Sequence, residues 1–387
     1  MDNNHVKKVR VAVLYGGRSG EHEVSLMSAA NVIENLDKDQ FEVVPIGIDK
    51  EGAWHVGDAV FRRGLSDTSR LPRLNAQPNQ LLFDPSAIGK SLSISAEGGS
   101  HNVFDVIFPV IHGPLCEDGT VQGFLELTGL PYVGCGVLAS ALGMDKDVSK
   151  RLVVHAGIAT PAYVALSRSA WHRHTERCLE QVEAALTYPV FVKPANTGSS
   201  VGISKAKTRK QLLDAVEAAF QYDHKIVIEQ GLNAREIEVA VLESLEYGAD
   251  PIVSIPGEVR PTARYEFYSY ASKYLDEAGA DLIIPATLSD ETVARIQAIA
   301  KDIFQVLGCE GMARVDLFLD DATGNIYFNE INSLPGFTSI SMYPKLMMAS
   351  GLSYQDLLTH LVQLAMDRNI RKSQLSRDYV EKTTTTV

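Results

Sequence analysis

The chain has 387 residues, enough for two or three compact units that each bury an apolar interior. Hydrophobic residues make up 45% and charged residues 22%, which excludes wholesale disorder. A formal charge of -12 argues against a chain built to neutralise nucleic-acid phosphates, so local cations and backbone amides must hold any anionic ligand.

The opening residues Met1–Lys8 are polar, and the apolar run Val9–Tyr15 is too short for a signal-peptide core or a membrane span. Cys116, Cys135, Cys178 and Cys309 are far apart and form no Cys-x-x-Cys pair. They suggest neither a zinc knuckle nor a disulfide framework, and a reducing, cytoplasmic compartment fits them. Cys116 has no paired base in the sequence and receives no nucleophilic role.

Val9–Leu14 reads as a buried strand, followed by the Gly16-Gly17 turn and a helix carrying Val24, Met27, Ala30 and Ile33 at helical spacing. Residues 61–101 read as an irregular insertion. A second strand, Asp105–Val110, leads into His112-Gly113-Pro114 and Glu117-Asp118-Gly119-Thr120. Strands feeding polar loops are typical of an open α/β sheet, with ligands at the strand carboxyl ends, so residues 1–140 form one such domain. Glu23 and His112 follow its strand ends, where a structural hydrogen-bonding residue is the more ordinary reading. The turn lacks the Gly-x-Gly-x-x-Gly spacing of a dinucleotide site, which speaks against a nicotinamide-dependent oxidoreductase.

Beyond Ala141 strands and helices alternate without repeating the first unit. Val190–Lys193 is strand-like and ends in Lys193, followed by the small-residue loop 194–202, which contains Ser199 and Ser200. Such a loop lets backbone amides approach phosphate oxygens while the ammonium balances their charge, although it also fits an ordinary turn. Thr208 and Gln211 form a capping box for a helix bearing Leu212, Val216 and Phe220. Glu229 ends the next strand, and Glu236 opens a strand that alternates acidic and apolar residues as a half-buried strand does. The segment Tyr265–Tyr274, with Lys273 and Tyr274, reads as a lid over an anion or as a hairpin edge. Val293, Ile296, Ile299, Ile303 and Val306 mark an amphipathic helix closed by Gly308.

Two later strands carry Arg314-Val315-Asp316 and Glu330-Ile331-Asn332. Period two puts Arg314 with Asp316, and Glu330 with Asn332, on common faces. With Asp320 opposite Ile326 across a hairpin loop, Asp316 faces Glu330, and the set offers hard oxygen ligands suited to magnesium with a guanidinium beside them. A one-residue slip would send the acids to opposite faces. A solvated hairpin face is the plain alternative. The turn-rich stretch 333–339 follows, and residues 368–387 read as a polar tail.

Six segments in this order resemble the D-alanine-D-alanine ligases of the ATP-grasp superfamily: Gly16–Ser25, His112-Gly113-Pro114 with 117–120, Met144-Asp145-Lys146, the Lys193 loop, Arg314-Val315-Asp316, and Glu330-Ile331-Asn332 with Pro335-Gly336. The resemblance covers residues 9–365 and implies a three-domain α/β ATP-grasp architecture, divided at 1–140, 141–233 and 234–367. It assigns Lys146, Lys193 and Ser200 to the nucleotide phosphates, Glu229 to the adenine edge, Glu236 to the ribose and Lys273 to the γ-phosphate. Asp316, Glu330 and Asn332 would hold two Mg2+ (or Mn2+) ions. Glu23 would receive the ammonium of the first of two D-alanines and link with Ser199 and Tyr274 to hold the lid shut. His112 and Ser341 would bind substrate, and Arg314 and Gly336 would stabilise the tetrahedral oxyanion. ATP is the expected co-substrate, a homodimer the expected assembly, and peptidoglycan precursor synthesis the expected role. Cys116 stands where the family usually carries a glycine, while Tyr274 favours a D-alanyl-D-alanine dipeptide over a D-alanine-D-lactate ester. Another ATP-grasp carboxylate-amine ligase and a nucleotide-binding regulator without catalysis are the remaining readings.

Overall fold

Four β-sheets organise the chain in the computed structural model, which describes residues 7–56, 81–83, 92–96, 99–102, 104–262 and 279–376. The chain opens with β1 (Val9–Gly16), α1 (His22–Asn35), β2 (Phe41–Ile48) and β3 (Trp54–Val56). The stretch read as irregular contains β4 (Leu81–Phe83), β5 (Leu92–Ala96) and β6 (Gly99–Asn102), a small antiparallel sheet. After β7 (Val106–Pro109) the first sheet has the order β3-β2-β1-β7, with β2 and β7 both parallel to β1. Parallel strands covered by helices are buried at their centre, and residues 11–15 of β1 are at most 1% exposed while β7 is buried along its length.

Helices α2 (Thr120–Thr128), α3 (Val137–Met144) and α4 (Lys146–His155) lead to the second sheet. Its elements are β8 (Tyr163–Ser167), α5 (Arg168–Arg173), α6 (Thr175–Ala185), β9 (Val190–Pro194), β10 (Ser204–Ala206), α7 (Arg209–Ala219) and β11 (Lys225–Gln230). The strands run β10-β9-β11-β8, all antiparallel. Thr208 caps α7 by accepting the Gln211 amide, but the Gln211 side chain accepts from Lys207, one residue earlier than a reciprocal box requires.

The third large sheet runs β15-β14-β12-β16-β17, with β13 beside β12. Its strands are β12 (Arg235–Leu242), β13 (Ile252–Val253), β14 (Gly257–Pro261), β15 (Ala280–Ile283), β16 (Met312–Asp320) and β17 (Asn325–Asn332). Helix α8 (Asp290–Val306) is capped by Ser289, and Gly308 follows it at φ 64°. Helices α9 (Met342–Ala349) and α10 (Tyr354–Ser373) complete the described chain. The alternation read in β12 is not half exposure, because six of its eight residues are buried. Ile237, Val239 and Val241 join one core with residues of α8, while Ala240 and Leu242 join another with α9 and α10.

The β16–β17 hairpin departs from the expected register at its tip and agrees with it at its base. Asp320 lies opposite Asn325, not Ile326, yet Asp316 does face Glu330 and Arg314 faces Asn332. A bulge between these two stretches leaves Asn329 as the extra residue and absorbs the one-residue offset.

Candidate active site

Loop geometry after β1 brings a carboxylate into the cleft, and it is Glu21, not the expected Glu23. Gly16 and Gly17 have φ of 89° and 102°, and a Cβ on Gly16 would lie 2.2 Å from the Ile48 carbonyl oxygen. Only glycine suits that backbone at no steric cost. The Ser19 hydroxyl accepts the Glu21 amide at 3.2 Å and donates to the His112 carbonyl at 2.7 Å, tying the two loops together. Glu21 is buried, and its carboxylate accepts the Ser199 hydroxyl. Glu23 is one residue into α1, where it faces out and pairs with Lys50 at 2.5 Å. The expected Glu23–Ser199 link is thus corrected to Glu21–Ser199.

His112 is buried beside it, with Nδ1 3.4 Å from Glu117 and Nε2 3.1 Å from the Ser28 hydroxyl on α1. Burial, reinforced by the nearby Glu21 and only partly opposed by His112, pushes the Glu117 carboxyl up. Ser28 also accepts the Phe337 amide at 3.2 Å, which seats the Gly336 turn against His112. A Cβ on Gly336 would meet the Ser341 hydroxyl at 2.9 Å, and that hydroxyl accepts the Thr338 amide at 2.9 Å.

Asp145 caps α4 through the amides of Asp147 and Val148, placing Lys146 in the first turn. The Lys146 ammonium donates to the Thr197 carbonyl at 2.8 Å and pairs with Glu330 at 3.2 Å. The loop after β9 turns through Ser199 and Ser200, both left-handed at φ 49° and 58°. Non-glycine residues rarely adopt that region outside constrained sites. Asp223 fixes the start of the loop by accepting the backbone and side-chain amides of Asn196.

Behind this loop lies a buried charge cluster. Glu229, at the end of β11, forms ion pairs with Lys193 at 2.6 Å on one oxygen and with Lys150 at 3.0 Å on the other. Burial pushes the Glu229 carboxyl up, but the two ammoniums outweigh it and hold it at about 2. Burial likewise opposes the charge on Lys193, yet Glu229, Glu330 and Glu236 together raise it. For Lys150 burial prevails and the ammonium is pushed down. Lys193 also donates to the side chain of the bulged Asn329 at 3.2 Å. Glu236 is half-buried near the start of β12, on the Lys193 side.

Across β12, β16 and β17, Glu238, Asp316 and Glu330 occupy one row. Arg314 makes a two-pronged contact with Asp316 at 2.7 and 2.7 Å and meets Glu238 at 3.0 Å. Burial works against its charge, but Asp316 and Glu238 outweigh it and keep the guanidinium protonated. Asn332 accepts the Leu334 amide at 3.0 Å.

One cavity of about 120 Å³ has Glu21, His112, Lys146, Ser199, Arg314, Glu330, Asn332, Gly336 and Ser341 in its lining, while Lys193, Ser200, Glu229, Glu236 and Asp316 lie outside that lining. Lys273 and Tyr274 lie outside the described residues. Glu21, Lys150 and Glu238 were missed from sequence. Lys150 was within reach, since it follows Lys146 by four and shares its helix face.

Comparison with known proteins decides which chemistry this arrangement belongs to. Residues 10–135 match the model described as D-ala D-ala ligase N-terminus, and residues 152–363 match D-ala D-ala ligase C-terminus. The chain belongs to the D-alanine–D-alanine ligase family. The D-alanine–D-alanine ligase A of Bradyrhizobium diazoefficiens is 51% identical over 96% of this chain and 99% of its own length. That of Escherichia coli is 46% identical over 96% and 99%. Among solved structures, the VanG D-Ala:D-Ser ligase from Enterococcus faecalis superposes with TM-score 0.78 at 37% identity, covering 93% of this chain and 100% of that one. The D-alanine-D-alanine ligase from Coxiella burnetii gives 0.78 at 34% identity, covering 95% and 97%. Family membership makes this protein an ATP-dependent ligase with the ATP-grasp fold and its N-terminal domain.

Proposed function

We propose that this chain forms D-alanyl-D-alanine for peptidoglycan precursors, activating the carboxylate of one D-alanine as an acyl phosphate with ATP and passing it to the amine of a second. The observation that carries this reading is that one cavity brings Lys146 and Ser199 together with Glu21, His112, Gly336 and Ser341 around Arg314. Lys146 and the Ser199–Ser200 loop serve the nucleotide, with Lys193 behind that loop. Glu21, His112, Gly336 and Ser341 serve the amino acids.

Within this reading Glu21 takes the role expected of Glu23, receiving the first substrate's ammonium while fixing Ser199. Its carboxylate is an acceptor suited to an ammonium. Lys146, Lys193 and Ser200 hold the nucleotide phosphates, and Glu236 takes the ribose. Glu229 keeps the adenine edge, fixed in place by the two ammoniums that its oxygens meet. Alignment and charge neutralisation are the main tasks in phosphoryl transfer. Arg314 and the Gly336 amide then face the oxyanion formed by amine attack, with His112 and Ser341 on the second substrate. Lys273 and Tyr274 keep their lid roles as proposals.

The acidic row tests whether magnesium fits. Its donors are hard carboxylate oxygens with the Asn332 amide beside them, the chemistry this ion selects. Among the described residues no three acidic or histidine side chains already converge on one point, because Arg314 holds Asp316 and Glu238 while Lys146 holds Glu330. Asp316, Glu330 and Asn332 would hold two ions by exchanging these partners. The bound metal would supply charge neutralisation at phosphate oxygens.

We read the three large sheets as the cores of units 1–140, 141–233 and 234–367, and expect a cytoplasmic homodimer. Among the described residues no helix is long and apolar enough to cross a membrane. The deciding experiment measures ADP formation with D-alanine against L-alanine, with the product weighed by mass spectrometry. D-alanine-dependent ADP and a D-alanyl-D-alanine mass are expected. A D-serine or D-lactate adduct formed in preference, or ADP release indifferent to D-alanine, would reject the reading.

A further inference from the structure

The Glu229 cluster holds one more ammonium than a nucleotide-binding lysine and its carboxylate partner require. Lys150 is fully buried on α4, and its Nζ reaches Glu229 at 3.0 Å, the Asn329 carbonyl at 3.0 Å and the Phe328 carbonyl at 3.3 Å. Removing an ammonium from water is costly unless every donor is paired, so such a residue persists where its charge or its bonds matter. The three contacts engage its ammonium, and Lys150 does not line the cavity.

Charge balance shows what that arrangement does. Glu229 carries one negative charge and meets two ammoniums, Lys150 and Lys193. Without Lys150 the remaining pair is neutral, and the Glu229 carboxylate competes with any phosphate for Lys193. With Lys150 present the trio of Glu229, Lys150 and Lys193 keeps one net positive charge, set against the nearby Glu330 and Glu236. Lys193 is the member nearer solvent, with a side chain 9% exposed against 0% for Lys150.

We infer that Lys150 is a positioning residue that neutralises Glu229 from behind and so leaves the Lys193 ammonium available to the nucleotide. This rests on the reading that Lys193 faces ATP. Lys150 touches no substrate itself, and its contacts to the bulge at Asn329 hold Glu229 and β17 in one frame.

The test is calorimetric titration of magnesium-ADP into the full-length protein and into K150M, E229Q, K150M/E229Q and K193M, with thermal unfolding to confirm folding. K150M should bind ADP about tenfold or more weakly, with the D-alanine KM nearly unchanged. In the E229Q background the same substitution should change affinity by no more than about threefold, because no carboxylate is left to neutralise. Equal losses in both backgrounds would mean that Lys150 is only a strut, and the proposal fails. Wild-type affinity in K150M, with K193M impaired, overturns it too while leaving the nucleotide reading intact. Wild-type affinity in K193M overturns the nucleotide reading itself. Should K150M not fold, K150R keeps the charge and should bind ADP within about threefold of wild type. A folded K150R with about tenfold weaker binding overturns the proposal.

Discussion

Replacing Glu21 with glutamine keeps its shape and removes its charge, which makes it the sharpest probe of how the first substrate is held. Glu21 is 7% exposed, lines the cavity and already accepts the Ser199 hydroxyl. A hydrogen bond between charged groups at such a place contributes about 1.5–3 kcal/mol, so E21Q should lower kcat/KM for D-alanine by about 10- to 150-fold. The loss should fall mainly on the KM of the first D-alanine, with the ATP KM within about threefold. Glu23 supplies the internal comparison. Its side chain is 30% exposed and its pair with Lys50 is a surface contact, so E23Q should shift stability by less than about 1 kcal/mol and activity by less than about twofold. Phosphate release measured against D-alanine concentration for both variants decides the matter. A damaged E23Q beside an intact E21Q would refute the assignment and return the role to Glu23.

Glu330→Gln should abolish D-alanine-dependent phosphate release, and a magnesium titration should show a much higher metal requirement; near-normal turnover rejects its ligand role. The Glu229 carboxyl sits at about 2 in the fold against about 4.3 in the unfolded chain. A depressed folded value means that its stabilisation, on the order of 3 kcal/mol, is present above about pH 4.3 and lost as pH falls toward 2. Urea midpoints at pH 5 and pH 3 should therefore diverge more for wild type than for E229Q, which is less stable at both because two buried ammoniums lose their partner. Equal pH sensitivity in the two proteins would contradict this. Gly16→Ala should cost at least about 2 kcal/mol, from left-handed backbone and collision with the Ile48 carbonyl. An unchanged thermal midpoint would show that the β1 loop can shift to accept a side chain.

The strands at 9–14, 105–110, 190–193, 226–229 and 236–242 and the two carrying Arg314 and Glu330 were legible in sequence because their apolar runs show them, whereas the order of motifs was legible through the family resemblance. The hairpin register was right at the site for an incomplete reason, since an unseen offset at Asp320 was cancelled by an unseen bulge at Asn329. Glu21 and Glu23 could not be separated, because both flank one histidine at a loop-to-helix junction whose direction is set by the distant contacts of Ser19 and Gly16. Glu238 was hidden for a related reason. Its neighbours in the acidic row come from strands far along the chain, and only pairing of β12 with β16 reveals them. The strands within 81–102 are too short and weakly patterned to read as a sheet.

The single extra residue in β17 does more than adjust a count. Along an unbroken strand Ile326, Phe328, Glu330 and Asn332 would all point the same way, forcing either carboxylate into oil or aromatic ring into water. Skipping a beat at Asn329 reverses the phase, so that Ile326 and Phe328 pack inward before it and Ile331 inward after it, while Glu330 and Asn332 swing to the cavity. One strand thereby serves as greasy wall in its first half and ligand bed in its second, and deleting that residue should turn the bed inside out.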